Sequence, residues 1–486
     1  MYNPLRLDDP TLFQRRCLVG GKWIEAADGA TIAVHDPATG EQLGEVPALS
    51  PSEVAAAIDA AALAQPAWAA LTAAQRAAPL HRLFELLNQH RDDLARIMTY
   101  EQGKPTAEAI AEVTYAATFL QWFAEEGRRL YGDIIPPPSA DKRILVLRQP
   151  IGVFAAITPW NFPLAMLTRK AAAGWAAGCA GVLRPAPETP LTALAFGVLA
   201  ERAGLPSGVC NLVTGDAAAT GLELCTNPKV RKLSFTGSTR VGALLLQQCA
   251  PTIKKTSMEL GGNAPFLVFA DADLDEAIAG AVASRYRNSG QTCICANRFI
   301  VQAEIYDAFC EGLTAKVSAM QCGHGLDEDS TQGPLISATA VKRVHALVTQ
   351  AAEDGAKVTT GGTPAMGPGS FFLPTVLIDV PPHAAILREE IFGPVATVCR
   401  FESEEEAITL ANDSPFGLAA YVYTRDIGRA FRTIERIEAG MVGLNDTAIS
   451  TEVAPFGGVK NSGSGREGSK YGLHDYTELK YAALKV

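Results

Sequence analysis

The chain has 486 residues, with 42 Lys+Arg against 52 Asp+Glu and a formal net charge of −10. Its 48% hydrophobic and 19% charged residues exclude a disordered chain and fit two or three domains of about 150 residues. The acidic balance excludes a non-specific nucleic-acid binder and a polybasic membrane-surface protein. No C-x-x-C occurs and no two His stand four apart, so no metal site is expected.

At the N-terminus, Asp8 and Asp9 stand where a signal peptide would need its apolar stretch. The segment 149–168 contains Pro150, Pro159, Asn161 and Pro163, so it cannot run as one lipid-spanning helix. The scattered cysteines are therefore expected to be reduced, mostly buried thiols of a cytoplasmic protein. From Ser52 to His90 the chain is Ala-rich, with Val54, Ile58, Leu63, Leu80, Leu83 and Leu86 at helical spacing. Pro66 marks the place where one helix could stop and another begin.

From residue 151 short apolar runs alternate with helix-like stretches: Ile151 to Ile157, Gly181 to Leu183, Val209 to Val213 and Lys232 to Phe235. The alternation resumes with Phe266 to Phe269, Arg298 to Val301, Val358 to Thr360 and Val395 to Phe401. Strands separated by helices of this length predict two consecutive α/β regions with parallel sheets, divided near Met258. Tyr131 to Leu147 and the tail Tyr476 to Lys480 fit neither region. They are expected either to pair with another subunit or to form edge strands of their own domain.

Two familiar signatures lead nowhere. Gly463-Ser464-Gly465-Arg466-Glu467-Gly468 satisfies G-x-G-x-x-G, but only 18 residues follow it, too few for a βαβ unit and its acidic ribose ligand. It reads as a structural loop. No G-x-S-x-G occurs, which removes the usual serine hydrolase elbow.

One cysteine stands apart. Cys293 lies in Asn288-Ser289-Gly290-Gln291-Thr292-Cys293-Ile294-Cys295, a stretch of small and polar residues that leaves room for a ligand at the sulfur. Thr158-Pro159-Trp160-Asn161-Phe162-Pro163, Phe235-Thr236-Gly237-Ser238, Glu259-Leu260-Gly261-Gly262, the Cys293 motif and Glu389-Glu390-Ile391-Phe392-Gly393-Pro394 occur in that order. Together they resemble the NAD(P)-dependent aldehyde dehydrogenase superfamily. Pro455-Phe456-Gly457-Gly458 and Gly20-Gly21-Lys22-Trp23 extend the likeness to nearly the whole chain. The resemblance implies an NAD(P)-binding domain over 1–130 and 148–258 and a catalytic domain over 259–465. It also implies an oligomerisation arm and tail over 131–147 and 466–486, in a homodimer or homotetramer.

The chemistry of these residues agrees with that expectation. An aldehyde gives up hydride readily once a nucleophile has left a tetrahedral alkoxide, and a thiolate assigns Cys293 to that step. The Asn161 amide and the Cys293 backbone N–H would form the oxyanion hole. Glu259, by setting and resemblance, is expected as the base that activates water for thioester hydrolysis. A diphosphate at Gly237-Ser238 would meet free N–H groups at a helix start. By resemblance, Ser238 contacts the diphosphate, Glu390 the nicotinamide ribose and Arg184 the adenosine ribose, with Thr158, Pro159, Trp160, Gly237 and Phe392 also on the cofactor. Arg184 stands where the family usually has Lys, and Pro187 where it often has Glu. Both NAD and NADP are therefore expected to serve.

Within the superfamily, Met166 to Lys170, Tyr286 to Arg298 and Gly465 to Gly472 resemble the succinate-semialdehyde dehydrogenase branch. Arg169 and Arg287 would hold a distal carboxylate through charge-assisted bonds, and Ser450 would add a hydroxyl. Structural ion pairs are the competing reading of both arginines. Glutarate semialdehyde, one methylene longer, is the nearest rival substrate. A CoA-acylating enzyme is disfavoured by Glu259. By likeness to enzymes with the same spacing, Cys295 is either an oxidisable partner of Cys293 or inert.

Overall fold

Ser50 and Glu53 form a capping box: the Ser50 hydroxyl accepts from the Glu53 N–H at 3.4 Å, and the Glu53 carboxylate accepts from the Ser50 N–H at 2.8 Å. In the computed structural model, which describes residues 5–486, the helix this box opens spans Pro51–Ala70 and continues through Pro66. A second box, Thr72 with Gln75, starts Ala73–Gln89 at a 117° bend to the first helix. The expected break at Pro66 is thus corrected: the capping side chains fix the boundary, and the proline is absorbed within a turn. Among the described residues no single helix is long and apolar enough to cross a membrane.

Helix Thr106–Glu126 packs against Ala73–Gln89 and Ala165–Ala177. Leu80, Leu83, Phe119, Phe123 and Trp175 are fully buried in the core they share. Beside this layer runs an eight-stranded sheet. Its order is Lys22–Ile24, Cys17–Val19, Cys210–Leu212, Ala180–Arg184, Val153–Ile157, Val230–Thr236, Lys255–Glu259 and Gly463–Ser464. The central strands are parallel, and Val153–Ile157 and Ala180–Arg184 are buried throughout, as a sheet covered on both faces requires.

A seven-stranded sheet follows, ordered Lys357–Thr360, Thr375–Ile378, Val395–Phe401, Ala296–Gln302, Ala264–Val268, Ala419–Tyr423 and Met441–Leu444. Two α/β regions were expected and two are present. Neither sheet is wholly parallel, however: Cys17–Val19, Gly463–Ser464 and Lys357–Thr360 pair antiparallel. Gly463–Ser464 also carries the chain back to the first sheet, because its loop must reach the end of Lys255–Glu259.

The two stray segments pair with each other. Thr477–Lys485 runs antiparallel to Lys142–Pro150 over its full length, and Asp133–Ile135 pairs on the other side, giving a separate three-stranded sheet. Ile134, Leu147, Leu479 and Tyr481 remain exposed on it.

Neighbouring parallel strands end level with one another. Thr236 is opposite Glu259 and Ile157 is opposite Arg184. The segments beginning at Thr158, Gly237 and Leu260 therefore leave the sheet along one edge, the carboxyl edge where open α/β sheets bind ligands.

Candidate active site

The Cys293 loop is shaped by its approach. Helix Leu274–Tyr286 ends, and Asn288, Ser289 and Gly290 then turn through left-handed backbone with φ of 51°, 54° and 72°. At Gly290 the requirement is steric as well, since a Cβ there would stand 2.1 Å from the Gly393 carbonyl oxygen. The loop is tied to the end of the neighbouring sheet. The Asn161 side-chain amide donates to the Gln291 carbonyl at 2.8 Å. The Asn161 backbone carbonyl accepts from the Asn288 amide at 2.9 Å and from Lys104 Nζ at 2.8 Å. Gln102 Nε2 donates to Asn288 Oδ1 at 2.9 Å and completes the clamp.

Cys293, Asn161, Arg169, Arg287, Ser450, Pro159, Trp160, Gly237, Ser238, Glu390 and Phe392 line one cavity of about 680 Å³. Burial, with Glu390 and Glu259 nearby, pushes the Cys293 thiol up to about 12, against the pull of Arg169.

Glu390 and Cys293 approach each other across Gly261 and Gly262. The Gly262 N–H donates to Glu390 Oε1 at 2.9 Å. A Cβ on Gly262 would stand 2.2 Å from the Cys293 carbonyl oxygen, and one on Gly261 2.8 Å from Glu390 Oε2. Burial raises the Glu390 carboxyl to about 7.

Glu259 lies at the end of its strand, behind the wall of the cavity rather than on it. Its side chain is buried, and neither carboxylate oxygen has a hydrogen-bond partner. Burial first, then the like charge of Glu467, lifts its carboxyl well above the ordinary range, while Arg169 and Lys170 oppose the shift.

Glu467 is the residue sequence reasoning missed. It forms ion pairs with both Arg169, at 3.0 Å, and Lys170. Its loop was read as structural from the failed glycine motif. The available signal was the adjacent Arg169-Lys170 on a helix of small and apolar residues, since two buried cations require a buried anion. Arg169 thus makes the ion pair of the competing reading while it also lines the cavity, and it shares its carboxylate with Lys170. The Arg169 guanidinium also sits 3.9 Å from the Phe456 ring centroid. Arg287, by contrast, is exposed at the cavity, 5.4 Å from the Phe162 centroid, and no carboxylate among the described residues lies within ion-pair distance.

Of the residues expected to contact a dinucleotide, Pro159, Trp160, Gly237, Ser238, Glu390 and Phe392 line the cavity. Ser238 caps helix Thr239–Cys249, accepting from the Val241 N–H at 3.4 Å, so the free N–H groups of its first turn face the cavity edge. Trp160 and Phe392 meet edge to face at 5.4 Å. Thr158 and Arg184 lie off the cavity, joined by a 3.1 Å bond from the Thr158 N–H to the Arg184 carbonyl. The buried Thr158 Oγ1 and Arg184 Nε have no partner, as a polar ligand site would leave them. Glu188, one residue beyond Pro187, acts electrostatically on Arg184.

The Cys295 thiol lies 3.7 Å from the Arg285 carbonyl, the Cys295 N–H donates to the Thr292 carbonyl at 3.0 Å, and the residue is buried off the cavity. Both Cys293 and Cys295 are free thiols.

Residues 23–482 match the Aldehyde dehydrogenase family, and the chain belongs to that family. The Escherichia coli K12 succinate-semialdehyde dehydrogenase [NADP(+)] is 56% identical over 480 residues, covering 99% of this chain and 100% of that one. A glutarate-semialdehyde dehydrogenase of Pseudomonas aeruginosa is also 56% identical, over 99% of each chain. A crystal structure of succinate-semialdehyde dehydrogenase from Burkholderia pseudomallei superposes with a TM-score of 0.98 at 55% identity, covering 99% of this chain and 100% of its own.

Proposed function

We propose that this protein oxidises a short aldehyde bearing a distal carboxylate, succinate semialdehyde first, to the dicarboxylate. The observation that carries the reading is a single cavity holding Cys293 and Asn161 together with Arg287 and Ser450. The relatives named for succinate and glutarate semialdehydes support it.

Cys293 Sγ adds to the aldehyde carbon as its thiol proton passes to water, leaving an alkoxide on the former carbonyl oxygen. One hydrogen of the Asn161 amide is held by the Gln291 carbonyl, and the second is available to the alkoxide together with the Cys293 N–H. NAD or NADP supplies the hydride acceptor, its diphosphate at Gly237 and Ser238 and its nicotinamide ribose at Glu390. Ser238, Arg184 and Thr158 fit that group through an open helix N-terminus and unpartnered buried donors. Glu259, free of hydrogen bonds, turns to a water at the Cys293 thioester and takes its proton as the oxygen adds to the acyl carbon; the C–S bond then breaks and the proton passes on to the departing Cys293 sulfur. Arg184 and Pro187 favour tolerance of a 2′-phosphate.

The segments 1–130 and 148–258 form the cofactor-binding domain and 259–465 the catalytic domain in this reading. The exposed apolar side chains of the three-stranded sheet are where a homodimer or homotetramer would join, in a cytoplasmic enzyme.

Initial rates of NADH and NADPH formation with succinate semialdehyde, glutarate semialdehyde and butanal test the proposal. A kcat/KM for the carboxylated aldehydes far above that for butanal is expected. Equal values would end it.

A further inference from the structure

Tyr115 lies on helix Thr106–Glu126, and its side chain reaches the cavity opposite Cys293. Its ring is fixed edge-on against Phe119 at 5.0 Å between centroids. The hydroxyl is buried and makes no hydrogen bond of good geometry; the Ser450 hydroxyl is the side chain that reaches it, as a donor, which leaves the phenolic proton without an acceptor. Buried tyrosine hydroxyls ordinarily also donate, so a phenolic proton without an acceptor on the lining of a ligand cavity points to a ligand that accepts it.

The surroundings define that partner. Arg169, Arg287 and Ser450, which line the same cavity, act on the Tyr115 hydroxyl, Ser450 by a hydrogen bond and the arginines by their charge, with Glu467 opposing them. The two guanidiniums offer donors only; Glu112 on the same lining is paired with Lys104 and Glu108 acts on Arg287 only by its charge, so what fits between the guanidiniums is an acceptor carrying negative charge. Burial holds the phenolic proton in place, pushing the group above its ordinary value while the two arginines act in the opposite sense. Tyr115 is therefore a donor here. Glu467 divides its single charge between Arg169 and Lys170, and Arg287 has no ion-pair partner among the described residues, so positive charge remains to meet a distal anion and a neutral donor on the same lining becomes consequential.

We propose that Tyr115 is a specificity-determining residue whose hydroxyl donates a hydrogen bond to the distal carboxylate of the aldehyde, alongside Arg287 and Ser450. The proposal rests on the ω-carboxylated reading of the substrate and names a contact that reading did not contain. It also gives the hydroxyl a selective effect: with an alkyl aldehyde the donor stays buried and unpaired, a penalty that a carboxylated substrate removes.

The test is Tyr115→Phe, which keeps the ring against Phe119 and removes one oxygen. The readout is the ratio of kcat/KM for succinate semialdehyde to that for butanal, in wild type and variant. A fall of about tenfold in that ratio, carried by KM for succinate semialdehyde, is expected for a lost bond to a charged group. A ratio that stays constant, whether both substrates slow together or neither does, overturns the role of Tyr115 and leaves it a packing residue. If wild type itself fails to prefer succinate semialdehyde, the ω-carboxylate reading falls. If wild type prefers it and Tyr115→Phe does so equally, only the Tyr115 proposal falls.

Discussion

Arg169 Nη2 stands 3.0 Å from Glu467 Oε2, and both side chains are almost wholly shielded from solvent. The other oxygen of the same carboxylate takes Lys170 Nζ. One anion on a C-terminal loop thus pairs with two cations on a buried helix, leaving one positive charge in excess, and all three act electrostatically on Glu259.

Removing that anion exposes the arrangement. Glu467→Gln leaves two buried cations facing a neutral amide, which should destabilise the fold by on the order of 3–5 kcal/mol. Urea unfolding with an unchanged slope would report it as a lower midpoint. An unaltered midpoint would show that the two cations have water or another anion to turn to.

The raised carboxyl of Glu259 sets the direction of a pH profile. Below its shifted value the group is protonated and cannot take a proton from water; above it, the base is available. Thioester hydrolysis should therefore climb with pH along a limb lying above the ordinary carboxylate range. Single-turnover release of acid measures this step, and Glu259→Gln should flatten the limb.

Cys293 gives a second, steeper pH signature. With its thiol pushed up to about 12 in the cofactor-free protein, the thiolate fraction at neutral pH is small. Inactivation by iodoacetamide should accelerate about tenfold per pH unit between roughly pH 7 and 9, with no plateau. A plateau in that range would mean that the thiol is activated before any cofactor binds. Cys293→Ala should abolish turnover while nucleotide binding, followed by fluorescence titration, persists.

Gly262 offers a steric test. Its hypothetical Cβ, 2.2 Å from the Cys293 carbonyl oxygen, collides with backbone that has nowhere to move, and its N–H holds Glu390. Gly262→Ala should reduce kcat on the order of 100-fold by displacing the nucleophile loop. Retained activity would show that the loop gives way freely.

Asn288 combines a backbone requirement with a side-chain one. Its φ of 51° suits Asn or Gly, and its amide clamps the Asn161 carbonyl. Asn288→Gly should slow acylation without lowering thermal stability much, while Asn288→Ala should do both, adding about 1–3 kcal/mol of backbone strain. Equal unfolding temperatures for the two variants would remove the strain argument.

Much of the fold was legible because it repeats local rules. The buried runs ending at Ile157 and Phe235 read as strands from their apolar, β-branched and aromatic composition, and the small, polar residues around Cys293 marked a ligand-accessible loop. Pro66 was misleading, since a proline's local preference yielded to two capping boxes and to packing on both sides. Glu467 was hidden because its partners lie nearly 300 residues away and its own loop carries a decoy pattern.

The residue types and their order by themselves determined the α/β class and the family, since these depend on periodicities and spaced motifs along the chain, and they singled out Cys293, Asn161 and Glu259 as the proposed nucleophile, oxyanion donor and base. Tertiary structure alone decided that Glu259 stands behind the cavity wall, that Arg169 is paired with Glu467, that the Cys295 thiol lies against the Arg285 carbonyl, and that the two stray segments pair with each other. Those outcomes depend on distances between residues far apart in sequence, and on which charges are buried together. No local pattern encodes either.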